Sequence, residues 1–407
     1  TFWKLRASLA QVGSTLNPYS LYDMYDIKKF GATGYMINQK VLRNPNIKPT
    51  ISTSYEVGTE FRMFKNRLWG DINYYSRNTK NQIINLNITP ASGFNSNTMN
   101  AGQIRNQGIE VMIGGRPIET KNWSWELTGN IAHNSNKLIE LSDGVDRYRL
   151  FWYGYSTTLY QFAEVGKPVG TLYGSDWKRD PDGNIIMRKL SGASAEKNGE
   201  YIPVQDKNAM NYLGNVQPDL TGGFGTSLRW KNLTLSMSLD FQVGGKIAST
   251  TNMFGEFSGM LESTAGKNDR GGDIRGALKD NGGILVKGVY NTGTAEKPVY
   301  TSVESYVNAN VYFEQLKGAL WSPYVYDASY VKMREISLSY EFPKTLLAKT
   351  KIIKQASISL VAQNPWLIYS AMPNVDASEV GNAYAGCLER GQAMSTRSFG
   401  CTVKLTL

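Results

Sequence analysis

The sequence predicts an all-β chain, a transmembrane antiparallel β-barrel wall with long loops, and three observations predict it. Strict alternation of apolar and polar residues recurs in at least nine segments, the period of a strand with two unlike faces. The connections between those segments switch between very short and very long, as in outer-membrane barrels. A soluble sandwich rarely keeps loops of tens of residues inside a compact domain. The apolar faces also lack charge over their central positions, where one Arg or Lys in lipid would cost about 2–4 kcal/mol.

The strongest instance is the hairpin over 221–245. Leu233, Leu235, Met237, Leu239, Phe241 and Val243 alternate with Thr234, Ser236, Ser238, Asp240 and Gln242, after Phe224, Thr226, Leu228 and Trp230 have set the same pattern. Lys231-Asn232 turns the chain back on itself. Taken from the start, Trp3, Leu5, Ala7 and Leu9 share one face, and 14–50 reads as a polar loop. Tyr55 to Met63 and Leu68 to Tyr74 form a second hairpin around Lys65-Asn66, followed by a loop over 79–107 rich in Asn and Ser. A strand over 108–116 turns Ile109, Val111 and Ile113 outward, and Trp123, Trp125, Leu127 and Ile131 repeat the design. The stretches 135–215 and 246–325 read as long and irregular. In 330–342 the apolar phase slips between Met333 and Ile336, which a β-bulge would absorb, and Pro343 ends the strand. Strands follow over 356–362 and from Phe399 to Leu407.

Composition narrows the function. Charged residues are 19% of the 407, hydrophobic residues 41%, with 40 Gly and 24 Tyr, which suits strands, turns and interfacial aromatics better than helices. No segment reaches the ~20 apolar residues of a membrane helix. The net charge of +10 comes from scattered Lys and Arg, with no basic run suited to nucleic acid. Cys387 and Cys401 give no disulfide framework, and His133, the single histidine, leaves no histidine metal set and no Ser-His-Asp triad. No catalytic residues and no metal site are assigned.

With the strands placed, several stretches together resemble the SusC/RagA family of TonB-dependent outer-membrane transporters. They are TFWKLRASLAQVG at 1–13, the region 44–77 with NPNIKP and YEVGTEFRMFKNRLWGDINYYSRNTK, and GQIRNQGIEVMI leading to WSWELTGNIAHNSNK. The hairpin over 214–245 and DASYVKMREISLSYEFP at 327–343 complete a collinear set. Members of the family carry a TonB-contact segment, a plug domain and earlier strands N-terminal to these motifs. The resemblance therefore implies that 1–407 is the C-terminal portion of a single barrel of about 22 strands, without a plug, in the outer membrane of a Gram-negative bacterium. An open half-barrel is not viable in lipid, so the remainder of the same barrel is an expected partner.

The function implied by the resemblance is active import of oligosaccharides or peptides, with a SusD-like surface lipoprotein and a TonB complex as partners. A passive porin or a structural adhesin barrel is the alternative that the strands alone also allow. The polar face offers Asp71, Asn73, Glu126, Asn130 and Asp240 as lumen-facing groups. Phe151, Trp152, Tyr153, Tyr155 and Trp177 are candidates for substrate or partner contact, with an interfacial aromatic girdle as the plain reading of 151–155. Asp176, Asp180 and Asp182 near Gly183 have the makings of a loop Ca²⁺ site, but Asp-Pro-Asp-Gly is foremost a turn. The glycine pairs at 271–272 and 282–283 read as loop flexibility, and 246–325 as the loop that meets the lipoprotein.

Overall fold

The fold is taken from a computed structural model that describes residues 1–406 other than 15, 17, 143, 155–157, 317–319, 349–351, 383–385 and 394. Tyr155 and Leu407 therefore lie outside the described residues. Ten strands form one antiparallel sheet in strict chain order. They are β1 (Phe2–Ser14), β2 (Thr50–Met63), β3 (Leu68–Lys80), β4 (Gln103–Glu119), β5 (Trp123–Glu140), β6 (Leu220–Trp230), β7 (Leu233–Val243), β8 (Tyr330–Glu341), β9 (Gln355–Ser370) and β10 (Ser398–Thr406). Each strand pairs with the next in chain order, so β1 and β10 are the edges of the sheet.

Register carries the apolar face across the sheet without a break. Thr59 pairs with Ile72, Ile72 with Val111 and Val111 with Ile131. Farther on, Phe224 pairs with Leu239, Leu239 with Met333, and Leu338 with Leu360. These side chains have no protein layer over them: Leu5 is 76% exposed and Phe399 78%. Aromatics collect near the short turns, where Trp123 stacks on Trp230 at 5.9 Å and the Trp125 indole donates to Thr226 Oγ1 at 2.9 Å. That is the position at which amphipathic rings mark a membrane interface. Wall glycines make room for such rings. A Cβ at Gly114 would lie 2.3 Å from the Trp69 ring, and one at Gly70 2.5 Å from Phe61.

The bulge predicted near Met333 is present, as register shifts around Arg334 on both sides of β8. The tight turns also form, with Lys65, Asn66 and Lys231 in left-handed conformations (φ 57°, 65° and 53°). Other boundaries differ from expectation. β4, β5 and β9 run well past 108–116, Ile131 and 356–362. On β5 the outward residues of the extension, such as Ser135 and Lys137, are polar, so there the hydrogen-bonded ladder continues beyond the apolar part of the strand. On β9 the apolar face itself continues past 362, with Trp366 opposite Met333, but the register shift around Arg334 breaks the alternation before it.

The long connections all leave one end of the sheet, and they are not irregular. The stretch 14–50 holds the hairpin Tyr25–Phe30/Thr33–Asn38, and 79–107 holds Ile83–Asn87 paired with Ser96–Asn100. The stretch 246–325 holds α1 (Thr250–Phe257), the hairpin Ile284–Asn291/Tyr300–Val307 and α2 (Ala309–Leu316). Of the glycine pairs there, Gly271 is open, but the other glycines are tightly packed: a Cβ on Gly272 would meet the Asn281 carbonyl at 2.1 Å, and one on Gly282 the Gly276 carbonyl at 2.2 Å. Segments from 141–219, 244–329 and 371–397 share one core of Leu159, Leu172, Trp177, Met253, Trp321, Tyr324 and Leu388. The loops thus form a packed body at one end of a wall.

Candidate functional site: a two-faced sheet in the loop body

Between β5 and β6 the chain builds a four-stranded antiparallel sheet from Arg147–Gly154, Thr158–Glu164, Thr171–Trp177 and Gln205–Asn215. Pairing fixes its faces, since directly opposed residues project to the same side. One face carries Tyr153 opposite Leu159 and Phe151 opposite Gln161, and it packs into the loop core. Tyr153 sits edge-on to Trp321 at 5.7 Å, with the Arg390 guanidinium 5.0 Å over its ring. Trp177 is 7% exposed and stacks on Tyr312 at 6.2 Å.

The other face is open. A register shift between Arg149 and Phe151 changes the phase of the first strand, so Arg147, Arg149 and Trp152 all point the same way as Tyr160, Phe162 and Glu164. Tyr173 and Tyr212 continue that face by pairing with Tyr160 and with each other. The rings form a row, Tyr160–Phe162 at 5.5 Å, Phe162–Tyr173 at 5.7 Å and Tyr173–Tyr212 at 5.7 Å. Cations lie over it, Arg147 4.6 Å from Phe162 and Lys167 5.6 Å from both Tyr173 and Tyr212. Glu164 anchors the row. It takes hydrogen bonds from Tyr173 at 2.8 Å, an ion pair from Lys167 at 2.7 Å and a longer one from Arg147 at 3.6 Å. Burial alone would raise the Glu164 pKa, but the hydrogen bonds from Lys167 and Tyr173 outweigh it and hold the carboxyl below its usual range.

One acidic centre ties the loops to the wall and a second ties loop to loop. Lys332 on β8 is 1% exposed, and its ammonium donates to Asp376 at 2.6 Å, Glu379 at 2.7 Å, Ser395 at 2.9 Å and Ser378 at 3.1 Å. Burial pushes the Asp376 pKa up, and hydrogen bonds from Lys332 and Ser378 more than reverse this. The Lys332 hydrogen bond, opposed by burial, likewise holds Glu379 low. Glu389, also 1% exposed, accepts from Ser249 and Thr251 hydroxyls at 2.6 Å each and from the Thr251 amide at 3.2 Å. Its carboxylate thereby meets the positive end of α1. Cys387 lies beside it in the core, where burial pushes its thiol up to about 12.

The polar groups singled out in the wall all lie on the face opposite the apolar belt. Asp71 pairs with Arg6 at 2.5 Å, Glu126 with Arg116 at 2.7 Å and Asp240 with Arg334 at 2.8 Å. Asn73 neighbours Arg6 across Gly58, and Asn130 stands in the cross-strand row of Met112 and Gly223. His133 is exposed on the apolar face near the loop end, with Nδ1 2.6 Å from the Asp219 carbonyl. Asp180 to Gly183 forms the expected turn, the Asp180 carboxylate accepting from the Asn184 amide at 2.7 Å. Asp176 turns elsewhere, to Arg179 at 3.0 Å and to Ser322.

Of the aromatics chosen from sequence, the structure puts Trp152 on the open face, 56% exposed, and Phe151, Tyr153 and Trp177 against the core. Arg147, Arg149, Tyr160, Phe162 and Lys207 were not singled out. The Arg-Tyr-Arg alternation at 147–149 is a visible signal, but the bulge that aligns it with Trp152 is not.

Comparison with known proteins agrees with this geometry. The family model for the TonB dependent receptor-like β-barrel matches residues 2–251. TonB-dependent receptor P3 of Formosa agariphila is 27% identical over 368 residues, covering 86% of this chain and 33% of that protein. TonB-dependent receptor SusC of Bacteroides thetaiotaomicron is 26% identical over 231 residues, 54% of this chain and 22% of SusC. A structure of the RagAB peptide transporter superposes over 99% of this chain and 40% of its own with a TM-score of 0.68, at 18% identity. The chain thus spans about a third or less of these curated relatives. It belongs to the TonB-dependent receptor-like β-barrel family.

Proposed function

We propose that this chain supplies wall and surface loops to an outer-membrane importer of nutrient oligomers, oligosaccharides or peptides. It would be energised through TonB by parts of the protein outside 1–407 and capped by a SusD-like lipoprotein. The observation that carries the reading is the pairing of an uninterrupted apolar belt with a packed loop body at one end, in a chain of this family. Such a wall does no bond chemistry; it provides passage, selectivity and docking. In this reading 1–407 is the C-terminal portion of one barrel. Asp71, Asn73, Glu126, Asn130 and Asp240 line its lumen, Trp152 contacts solute, and 246–325 meets the lipoprotein.

The test is uptake of labelled oligosaccharides and peptides by cells carrying the full-length protein, with and without functional TonB. Import is expected to stop without TonB. Uptake that persists unchanged would favour a passive porin.

A further inference from the structure

The open face of the loop sheet ends in a cleft of about 550 Å³, lined by Leu86, Arg147, Tyr148, Arg149, Tyr160, Phe162, Lys207, Asn208 and Met210. Its far wall is built by a second irregularity. Between the pairs Gly174–Asn211 and Asp176–Asp206, one strand advances farther than its partner, so 207–210 bulge from the sheet. The bulge is pinned: the Asn208 amide donates to Asp206 Oδ1 at 3.0 Å, and Asn211 Nδ2 donates to the Asn208 carbonyl at 3.0 Å. The near wall is fixed by Tyr148, whose hydroxyl donates to the Asn85 carbonyl at 3.2 Å.

Three cations thus converge on an aromatic floor, and among the described residues no acidic one lines the cleft. Arg147 is partly committed to Glu164. Arg149 and Lys207 are exposed, and among the described residues neither side chain has an ion pair or hydrogen bond. Such a lining is rich in donors and poor in acceptors, and it has flat rings beneath. A peptide brings one backbone donor and one acceptor at each residue and carries its carboxylates on flexible side chains, away from any flat ring. An oligosaccharide with carboxylate or sulfate groups brings acceptors to the guanidinium forks and ring faces to the aromatics.

We propose that this cleft is a subsite for an acidic oligosaccharide, read by Arg149 and Lys207 over Tyr160 and Phe162. The inference rests on the importer reading and names its substrate class.

The experiment is titration calorimetry on the full-length protein purified in detergent. The probes are a tetragalacturonate, a sulfated galactan tetrasaccharide, maltotetraose and penta-glutamate. At least one anionic glycan is expected to bind ten-fold or more tighter than maltotetraose and penta-glutamate, with affinity falling as salt rises. The preferred glycan tells carboxylate from sulfate. Arg149→Gln, which removes a charge-assisted contact, should weaken that glycan by about ten-fold or more. Arg149→Lys keeps the charge without the fork and should lose less, a control for folding. Equal affinity for the neutral sugar, tighter binding of penta-glutamate, or an unchanged Arg149→Gln would overturn the assignment. TonB-dependent uptake without anionic preference would sink the subsite and leave the importer standing. Anionic binding without TonB-dependent uptake would do the reverse.

Discussion

The wall and the loop body of this chain use the same residue types to opposite ends. Trp321 and Leu159 in the loop body are fully buried, held by protein on every side. Leu5, Val57 and Phe399 in the wall are more than half exposed and have no protein layer to meet. Both regions contain antiparallel strands, so the presence of strands does not separate them. What does is the solvent each was built for. A wall strand needs one apolar face and a continuous ladder, because lipid accepts no unpaired backbone group. A loop strand needs neighbours that fill space at protein density.

The largest effects should show the contrast by truncation. Trp321→Ala should cost the loop body about 3–5 kcal/mol, read as faster limited proteolysis within 141–219 and 371–397. Leu5→Ala, which exchanges one lipid contact for another, should cost less than about 1 kcal/mol in the folded membrane protein. Equal sensitivity at the two sites would erase the distinction. Next, Leu239→Arg on the apolar belt should lose about 2–4 kcal/mol and much of the yield in outer-membrane fractions. Ser238→Arg, one residue away on the polar face, should insert normally.

A pH prediction sharpens the seam between the two regions. Asp376 and Glu379 both have pKa values held below the ordinary carboxylate range by Lys332. Their contribution is complete above that range and is lost as pH falls through the depressed values. Hydrogen exchange in 371–397 should therefore accelerate on acidification while exchange in β6 and β7 holds. Parallel acceleration in both would place the seam elsewhere. The smallest effect is expected for Glu126→Gln, which breaks a half-exposed pair with Arg116. It should change stability by about 0–1 kcal/mol, measured by thermal unfolding, because such a pair is screened.

The same contrast explains what could be read from the sequence. The hairpin β6–β7 was legible because lipid imposes one rule on each residue, apolar out and polar in, and Leu233 to Val243 obey it without exception. The bulge at Arg334 was legible for the same reason, as a break in that rule between Met333 and Ile336. The loop sheet obeys no such rule. Phe151 and Tyr153 face a core and Trp152 faces solvent, yet all are aromatic, so type gave no clue to direction. Arg147 and Arg149 became part of a site only through a bulge and through Phe162 and Lys207, whose nearness depends on pairing across long connections. The hairpin over Tyr25–Asn38 and the helix Thr250–Phe257 were missed because short elements in polar, glycine-rich stretches carry little periodicity.

The most direct test of the account is a spin-label scan of residues 233–243 in the native protein reconstituted in lipid, with Cys387 and Cys401 replaced. Labels at Leu235, Met237 and Leu239 are predicted to collide with oxygen dissolved in the bilayer. Labels at Ser236, Ser238 and Asp240 should collide with a water-soluble nickel chelate, a clean period of two. A flat profile, or the opposite phase, would contradict the assignment of this sheet as a membrane wall.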